Sequence, residues 1–144
     1  MDAEIDAVLV QRLADLGGRA GGIGGGGSGG LGGAQGAAWA AKRLKTETAA
    51  DARALDPSQV PAALEALSRL LRAPVEPGRT PEEAYVVRGV IGSGVGGLNP
   101  AYVVAVVDVA ASRLSVAAHA KEGLITQRTA QKAVRRVLDE LPGS

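Results

Sequence analysis

The sequence contains no cysteine or phenylalanine, and it has only one histidine, one tryptophan and two tyrosines. The absence of cysteine excludes disulfides, thiolate nucleophiles and cysteine-based zinc sites, and it is typical of a cytoplasmic protein. A single histidine excludes a histidine metal cluster. Valine, leucine, isoleucine and alanine must therefore fill the interior, and these small side chains each bury less apolar area, at roughly 25 cal/mol per Å². We expect a modest stability that self-association could supplement.

Neither sign of charge dominates, because 16 basic and 15 acidic residues leave a net charge of +1. This balance provides no general electrostatic attraction for nucleic acid, which is therefore not a favoured partner. The chain does not begin with a cationic segment followed by a continuous apolar run, so no secretory signal is predicted.

The most regular part of the sequence is 83–144, which predicts three strands followed by a helix. Short apolar runs predict strands at about 85–91, 102–109 and 114–120. The spacing of apolar residues then changes to 3.6, and Thr126 is the predicted cap of the last helix. The predicted fold class is α+β, with a three-stranded antiparallel meander covered by the C-terminal helix.

The second and third predicted strands are close enough to form a hairpin. If Ala111 and Ser112 form a two-residue turn, Val109 pairs with Leu114, and one face of the hairpin becomes wholly apolar. The opposite face is mixed and is the predicted interaction surface. Its candidate residues are Tyr102, Val104, Val106 and His119.

The remaining segments predict helices that precede the sheet. The predicted division is an amphipathic helix at 1–16, a glycine-rich low-complexity linker at 17–36, two helices at 37–73, a proline-rich connection at 74–82 and the βββα unit at 83–144. The two helices and the βββα unit are expected to form one domain. The order or disorder of the glycine-rich stretch is left open.

Glycines recur at every fourth position in the glycine-rich stretch, as at Gly18, Gly22 and Gly26. Such a ridge of small residues would allow close helix packing in a membrane. The stretch has few large aliphatic residues and contains Arg19, whereas a spanning helix needs about 20 mostly apolar residues. A membrane-associated glycine zipper is kept as an alternative.

No constellation in the sequence predicts catalysis or a cofactor. Residues 92–97 satisfy G-x-G-x-x-G after a strand, but the next strand follows too soon for the helix that a dinucleotide site requires. Asp108, Ser115 and His119 do not form a triad, since His119 lies roughly 13 Å from Ser115 along an extended strand. We therefore favour a protein that is not an enzyme and has no cofactor or metal.

One anion contact is predicted at the start of the last helix. Backbone N–H groups converge there, so Thr126 and Arg128 are the candidate residues for binding a carboxylate or phosphate.

The function favoured by the sequence is a binding or self-assembly module, acting through the mixed sheet face, an unpaired strand edge or the glycine-rich stretch. Its partner would be a second copy or another protein. The first alternative is a carrier of an apolar small molecule between sheet and helix, and the second is the membrane-associated glycine zipper. The biological process, the partner and the oligomeric state do not follow from the sequence.

Overall fold

The computed structural model of the chain describes residues 3–24, 29–78, 84–93, 99–122 and 127–142. It is an α+β fold, as predicted. Its elements, in chain order, are α1 (Ala3–Gly24), α2 (Gly29–Ala41), β1 (Lys45–Ala54), a short 3-10 helix (Pro57–Gln59), α3 (Val60–Leu71), β2 (Glu76–Pro77), β3 (Ala84–Ser93), β4 (Asn99–Asp108), β5 (Arg113–Glu122) and α4 (Thr129–Asp139).

The sheet of the described residues has five antiparallel strands in the order β1-β5-β4-β3-β2. The predicted meander is present as β3, β4 and β5, but the sheet has two more strands than predicted. The short strand β2 adds to β3, and β1 pairs along the whole length of β5.

Strand β1 lies where a helix was predicted. Its sequence has four alanines and only two β-branched residues, Thr46 and Thr48, so its local preference is for helix rather than strand. Pairing with β5 provides backbone hydrogen bonds that the isolated segment cannot make, and this tertiary context overrides the local preference. The predicted helix is thereby reduced to α2, which ends at Ala41.

Helices α3 and α4 cover one face of the sheet, which we call the inner face. The prediction of an apolar inner face and an apolar helical stripe is confirmed, because alternate residues of β3, β4 and β5 are buried together with every third or fourth residue of α4. The largest fully buried side chains of this core are Leu55, Leu67, Val87, Val103, Val107, Leu114, Val116 and Val137.

The predicted register of the β4–β5 hairpin is wrong by two residues. Val107, rather than Val109, pairs with Leu114, and the connection contains four residues instead of two. Asp108 accepts a hydrogen bond from the backbone N–H of Ala111 at 2.8 Å, and Ser112 has a positive φ of 48°. These local bonds favour the longer turn. A shift of two residues keeps every side chain on its predicted face.

The start of the G-x-G-x-x-G segment belongs to the sheet. Gly92 pairs with Pro100 across β3 and β4, which are antiparallel neighbours. Residues 94–98 lie outside the described residues. A strand that pairs directly with the next strand in antiparallel fashion lacks the crossover of a dinucleotide-binding unit.

Helix covers much of the glycine-rich stretch, for which a linker was predicted. Helix α1 continues to Gly24, and α2 begins at Gly29. The two helices pack against each other, and α1 also contacts β4 and β5. This packing stabilises helical backbone in a composition that would be weakly helical by itself. Within the described residues, no helix is long and apolar enough to cross a membrane.

Candidate interaction surface

The outer face of the sheet is the face opposite α3 and α4. Its side chains alternate with those of the core, so the four predicted residues Tyr102, Val104, Val106 and His119 all lie on it, partly buried. Neighbouring strands contribute small side chains at equivalent positions, including Ala50 and Ala52 of β1 and Ser115 and Ala117 of β5.

Helix α1 covers one end of the outer face. Asp6 forms an ion pair with Lys121 of β5, whose side chain is only 5% exposed. Leu9, which is three residues after Asp6 and so lies on the same side of the helix, is fully buried. The helical hairpin formed by α1 and α2 is therefore held against the sheet by both charge and burial.

The two helices of the hairpin approach closely because small residues meet at their interface. A Cβ added to Gly17 of α1 would lie 2.5 Å from the Cβ of Ala37 and 2.7 Å from the backbone oxygen of Gly33. Gly33 and Ala37 are four residues apart and occupy the same face of α2. Gly17, Gly33 and Ala37 thus form a close contact between the two helices, at positions other than the Gly18, Gly22 and Gly26 named for the membrane alternative.

Tyr102 and His119 are cross-strand neighbours near the covered end of the outer face. Burial raises the pKa of the Tyr102 hydroxyl, an effect that Arg88 opposes and that Glu4 and Glu76 reinforce. His119 lies 3.1 Å from the hydroxyl of Thr48 through Nδ1. Of these two predicted residues, His119 is engaged within the chain, whereas Tyr102 is only partly buried.

Val104 and Val106 are partly buried and lie on the part of the outer face over which the described residues place no helix. They line a shallow cavity of about 480 Å³ together with small residues of β1 and β5. We call this surface the outer strip and define it by Ala50, Ala52, Val104, Val106, Ser115 and Ala117. Because the side chains are short, the strip is flat, and flat surfaces of apolar side chains favour contact with another flat surface.

One acidic and one basic residue stand side by side next to the outer strip. Asp108 of β4 and Arg113 of β5 are paired across the strands, on the same face as Val106. Among the described residues, neither forms an ion pair. Their charges are thus available for a partner.

Two carboxylates on the inner face were missed by the sequence reasoning. Glu122 accepts hydrogen bonds from the backbone N–H groups of Gln127 at 2.5 Å and Thr129 at 2.9 Å. Glu47 accepts one from the N–H of Ala130 at 2.9 Å. The two side chains come from β1 and β5 and cap the start of α4 together. They are 75 positions apart, so no local pattern could have paired them.

The two carboxylates titrate differently because their hydrogen bonds differ. Burial raises the pKa of Glu47, and the neighbouring Glu122 carboxylate adds to this effect. Burial also acts to raise the pKa of Glu122, but hydrogen bonds from the backbone of Thr129 and Gln127 outweigh it and lower the pKa. As the pH rises, Glu122 is therefore the first of the two carboxyl groups to lose its proton.

Strand β1 also holds the other end of α4. The Arg53 guanidinium donates hydrogen bonds to the backbone oxygens of Leu138 at 3.3 Å and Pro142 at 2.9 Å. An acid at the N-terminus and a base at the C-terminus of a helix both complement its dipole. The single strand β1 thus stabilises both ends of α4.

The predicted anion contact lies at this same helix start. Thr126 is outside the described residues, and α4 begins at Thr129 rather than near Thr126. Arg128 is exposed and precedes the helix with a positive φ of 54°. Because Glu122 and Glu47 already accept the first N–H groups, an exogenous anion would have to displace a carboxylate. No group of three or more metal-ligating side chains occurs in the described ranges.

The single tryptophan lies on the hairpin and faces solvent. Trp39 of α2 is 60% exposed, and the Arg43 guanidinium lies 3.6 Å from the centre of its ring. A cation over an indole face is a favourable contact. Trp39 therefore reports on the environment of the hairpin without being part of the core.

No family model, curated protein or solved structure matches the chain. The geometry of the described residues is therefore the basis for assigning a function.

Proposed function

We propose that this protein is a self-association module that forms a dimer through the outer strip. The observation that carries the proposal is the incomplete cover of the sheet: α3 and α4 bury the inner face, whereas the hairpin covers only one end of the outer face. The uncovered end presents Val104 and Val106 among alanines. Apolar side chains on such a face gain free energy when a second surface excludes water from them.

A second copy of the chain is the partner that the charges favour. In a dimer with two-fold symmetry, each surface residue meets the same patch of the other copy. A two-fold axis through the strip can bring Asp108 of each copy to Arg113 of the other. Asp108 and Arg113, which lie next to the strip, are thus complementary in charge to the same two residues of a second copy.

The size of the strip predicts a weak dimer. A surface about three strands wide and five residues long covers roughly 250 Å², given strand spacings near 4.8 Å and a rise near 3.4 Å per residue. Stable interfaces bury about 800 Å² per partner. We therefore expect a dimer that dissociates on dilution in the micromolar range.

The first test is Val106→Lys, examined by sedimentation equilibrium over a range of protein concentrations. A lysine at the centre of the strip would bury an unpaired charge in the dimer, so we expect at least tenfold weaker association and unchanged circular dichroism. Gln131→Lys is the matched control, because it adds the same charge on the exposed surface of α4. Equal association of wild type and Val106→Lys would place the interface elsewhere, and a monomer at all concentrations would exclude the proposal.

A charge exchange tests the symmetry of the interface. Asp108→Arg and Arg113→Asp each place like charges across a two-fold axis, so each variant alone is expected to be monomeric. Mixed in equal amounts, the two variants should form a heterodimer, because every cross-axis pair is then of opposite charge. Asp108 also bonds the β4–β5 turn, so both variants require a check of folding by circular dichroism.

A further inference from the structure

A second cavity, of about 700 Å³, opens at the edge of the sheet beside β3. On the side of β3 that faces away from β4, β2 pairs only with Tyr85 and Val86, so the described residues place no strand along that side from Arg88 to Gly92. Helix α1 forms one wall of this edge cavity, and the C-terminal end of α3 forms another. The volume lies in the range of small-molecule sites, about 300 to 1,000 Å³.

Arginine is the most frequent residue type in the lining of the edge cavity. Its five arginines come from four different elements, and they are Arg12, Arg19, Arg72, Arg88 and Arg136. The one acidic residue among the described lining residues is Asp15. In a chain whose net charge is only +1, this concentration of cations is a local feature and not a consequence of composition.

Three of these arginines have no acidic partner among the described residues. Arg88 pairs with Glu76, and Arg136 pairs with Glu140. No comparable ion pair occurs for Arg12, Arg19 or Arg72 in the described part of the chain. All five arginines are exposed, so solvent screens their mutual repulsion, and several cations around one cavity raise the local concentration of anions.

The backbone at Arg72 decides which substitution can test the edge cavity. This residue ends α3 with φ of 50° and ψ of 45°, in the left-handed conformation. Glycine is the usual residue at such a helix end, because a side chain raises the energy of this conformation. Arg72 lines the edge cavity, and glycine is the replacement that its backbone conformation tolerates best.

The rest of the lining is suited to an organic group. Apolar side chains of α1, α3 and β3 contribute to the walls, including Leu16, Leu70 and Ile91. Tyr102 adds a hydroxyl, and because burial raises its pKa, this group keeps its proton and can donate a hydrogen bond. The cavity thus combines cationic and apolar walls.

We propose that the edge cavity binds the phosphate or pyrophosphate group of a small organic molecule. Guanidinium groups match phosphate oxygens with paired hydrogen bonds, and several of them around one cavity select a multiply charged anion over chloride. The apolar walls hold the organic part of the ligand. The same phosphate chemistry occurs in free metabolites and in lipid headgroups, and the experiments below separate these two sources.

The probe for the first experiment is inorganic pyrophosphate, titrated into the full-length protein by isothermal calorimetry at constant ionic strength. We expect a submillimolar dissociation constant. Arg72→Gly should weaken binding about fivefold or more, since it removes one charge-assisted contact. The same substitution should maintain or raise the stability of the fold, because glycine suits the left-handed backbone. Binding and folding are therefore read independently from one variant.

Arg69→Gln is the matched control, since Arg69 is an exposed cation of the same helix that does not line the cavity. It should leave pyrophosphate affinity within twofold of wild type. Equal losses in Arg69→Gln and Arg72→Gly would show general charge attraction and overturn the proposal, as would the absence of any pyrophosphate binding combined with the absence of vesicle binding.

Vesicles identify the source of the phosphate. The second experiment is co-sedimentation with phosphatidylcholine vesicles that contain phosphatidic acid. Vesicle binding that Arg72→Gly weakens and Arg69→Gln does not would assign the site to a lipid headgroup. Pyrophosphate binding without vesicle binding would assign it to a free organic phosphate. The edge cavity shares no lining residue with the outer strip, so Val106→Lys should leave pyrophosphate affinity unchanged.

Discussion

Two glycines of the hairpin differ in the space around them, and the difference decides what each can tolerate. A Cβ on Gly17 would meet Ala37 and the backbone of Gly33 at less than 3 Å, whereas a Cβ on Gly36 would have nothing within 4 Å. Both residues lie inside helices, where alanine is intrinsically more favourable than glycine by about 1 kcal/mol. Close packing should outweigh this preference at Gly17 only.

We predict opposite effects of the same substitution at these two positions. Gly17→Ala should lower the free energy of unfolding by about 1 to 2 kcal/mol, since the overpacking destabilises the fold by more than the higher helix propensity of alanine stabilises it. Gly36→Ala should raise it by up to about 1 kcal/mol. Urea titration followed by Trp39 fluorescence and by circular dichroism measures both. A stable Gly17→Ala variant with an unchanged Trp39 signal would contradict the close approach of α1 and α2.

At the scale of single elements, α4 depends on side chains supplied by strands. Its sequence provides no capping side chain, since Arg128 stands at the position before the helix and makes no side-chain cap bond. Glu122 and Glu47 accept the first N–H groups instead, and Arg53 bonds the last carbonyls. Two of these three residues belong to β1. This edge strand therefore stabilises α4, although it contributes no large apolar side chain to the core.

The capping pair predicts a contrast between two conservative variants. Glu122→Gln should lower the free energy of unfolding at pH 7 by about 1 to 2 kcal/mol, because an ionised cap is lost. Glu47→Gln should be neutral or stabilising at pH 7, because it removes a carboxylate whose ionisation burial opposes and whose negative charge would lie beside that of Glu122.

The pH dependence of this contrast follows from the direction of each pKa shift. The lowered pKa of Glu122 contributes stability that is present above the ordinary value of 4.5 and is lost as the pH falls through the folded pKa. The raised pKa of Glu47 contributes stability that is present below 4.5 and is lost as the pH rises through the folded pKa. The deficit of Glu122→Gln should therefore shrink below pH 4.5, and Glu47→Gln should gain on wild type from pH 4.5 to 7. Denaturant titrations at several pH values between 3 and 7 test this, and parallel curves for both variants would contradict it.

At the scale of the whole molecule, the chain is built in three layers, with the sheet between α3 and α4 on one side and the hairpin on the other. The core of the first interface is continuous and apolar. The second interface is smaller and includes the Asp6–Lys121 ion pair. We expect the hairpin to open more readily than the core, because local stability follows buried apolar contact.

Asp6→Asn tests how the hairpin is held. Lys121 is nearly buried, so removing its partner leaves a charge without compensation, and hydrogen exchange in α1 and α2 should accelerate severalfold while the sheet keeps its protection. The double variant Asp6→Asn with Lys121→Met should recover protection, since methionine needs no partner. Unchanged exchange in Asp6→Asn would show that burial of residues such as Leu9 holds the hairpin without the ion pair.

The sequence predicted a segment correctly where its structure depends on residues that are close together in the chain, and it failed where the structure depends on distant residues. The alternation of Val103, Ala105 and Val107 predicted the buried face of β4, and this prediction survived a register error because a shift of two residues keeps the face. The helix predicted over β1 was wrong, since alanine prefers helix and only pairing with β5 makes this segment a strand. The candidate residues on the outer face were placed on it correctly, but their separation into a covered and an uncovered end depends on α1.

Local sequence determined those features for which neighbours along the chain are sufficient: the period of two in β3, β4 and β5, the period of 3.6 in α3 and α4, and the small side chains at each fourth position of the hairpin. Tertiary structure alone decided the two additional strands, β1 and β2, the meeting of Glu47 with Glu122, the cover of one end of the outer face, and the gathering of arginines around one cavity. The physical reason is that side-chain periodicity is a property of the local backbone, whereas strand pairing, capping from a distant strand and a shared cavity depend on contacts between segments that are far apart in the chain.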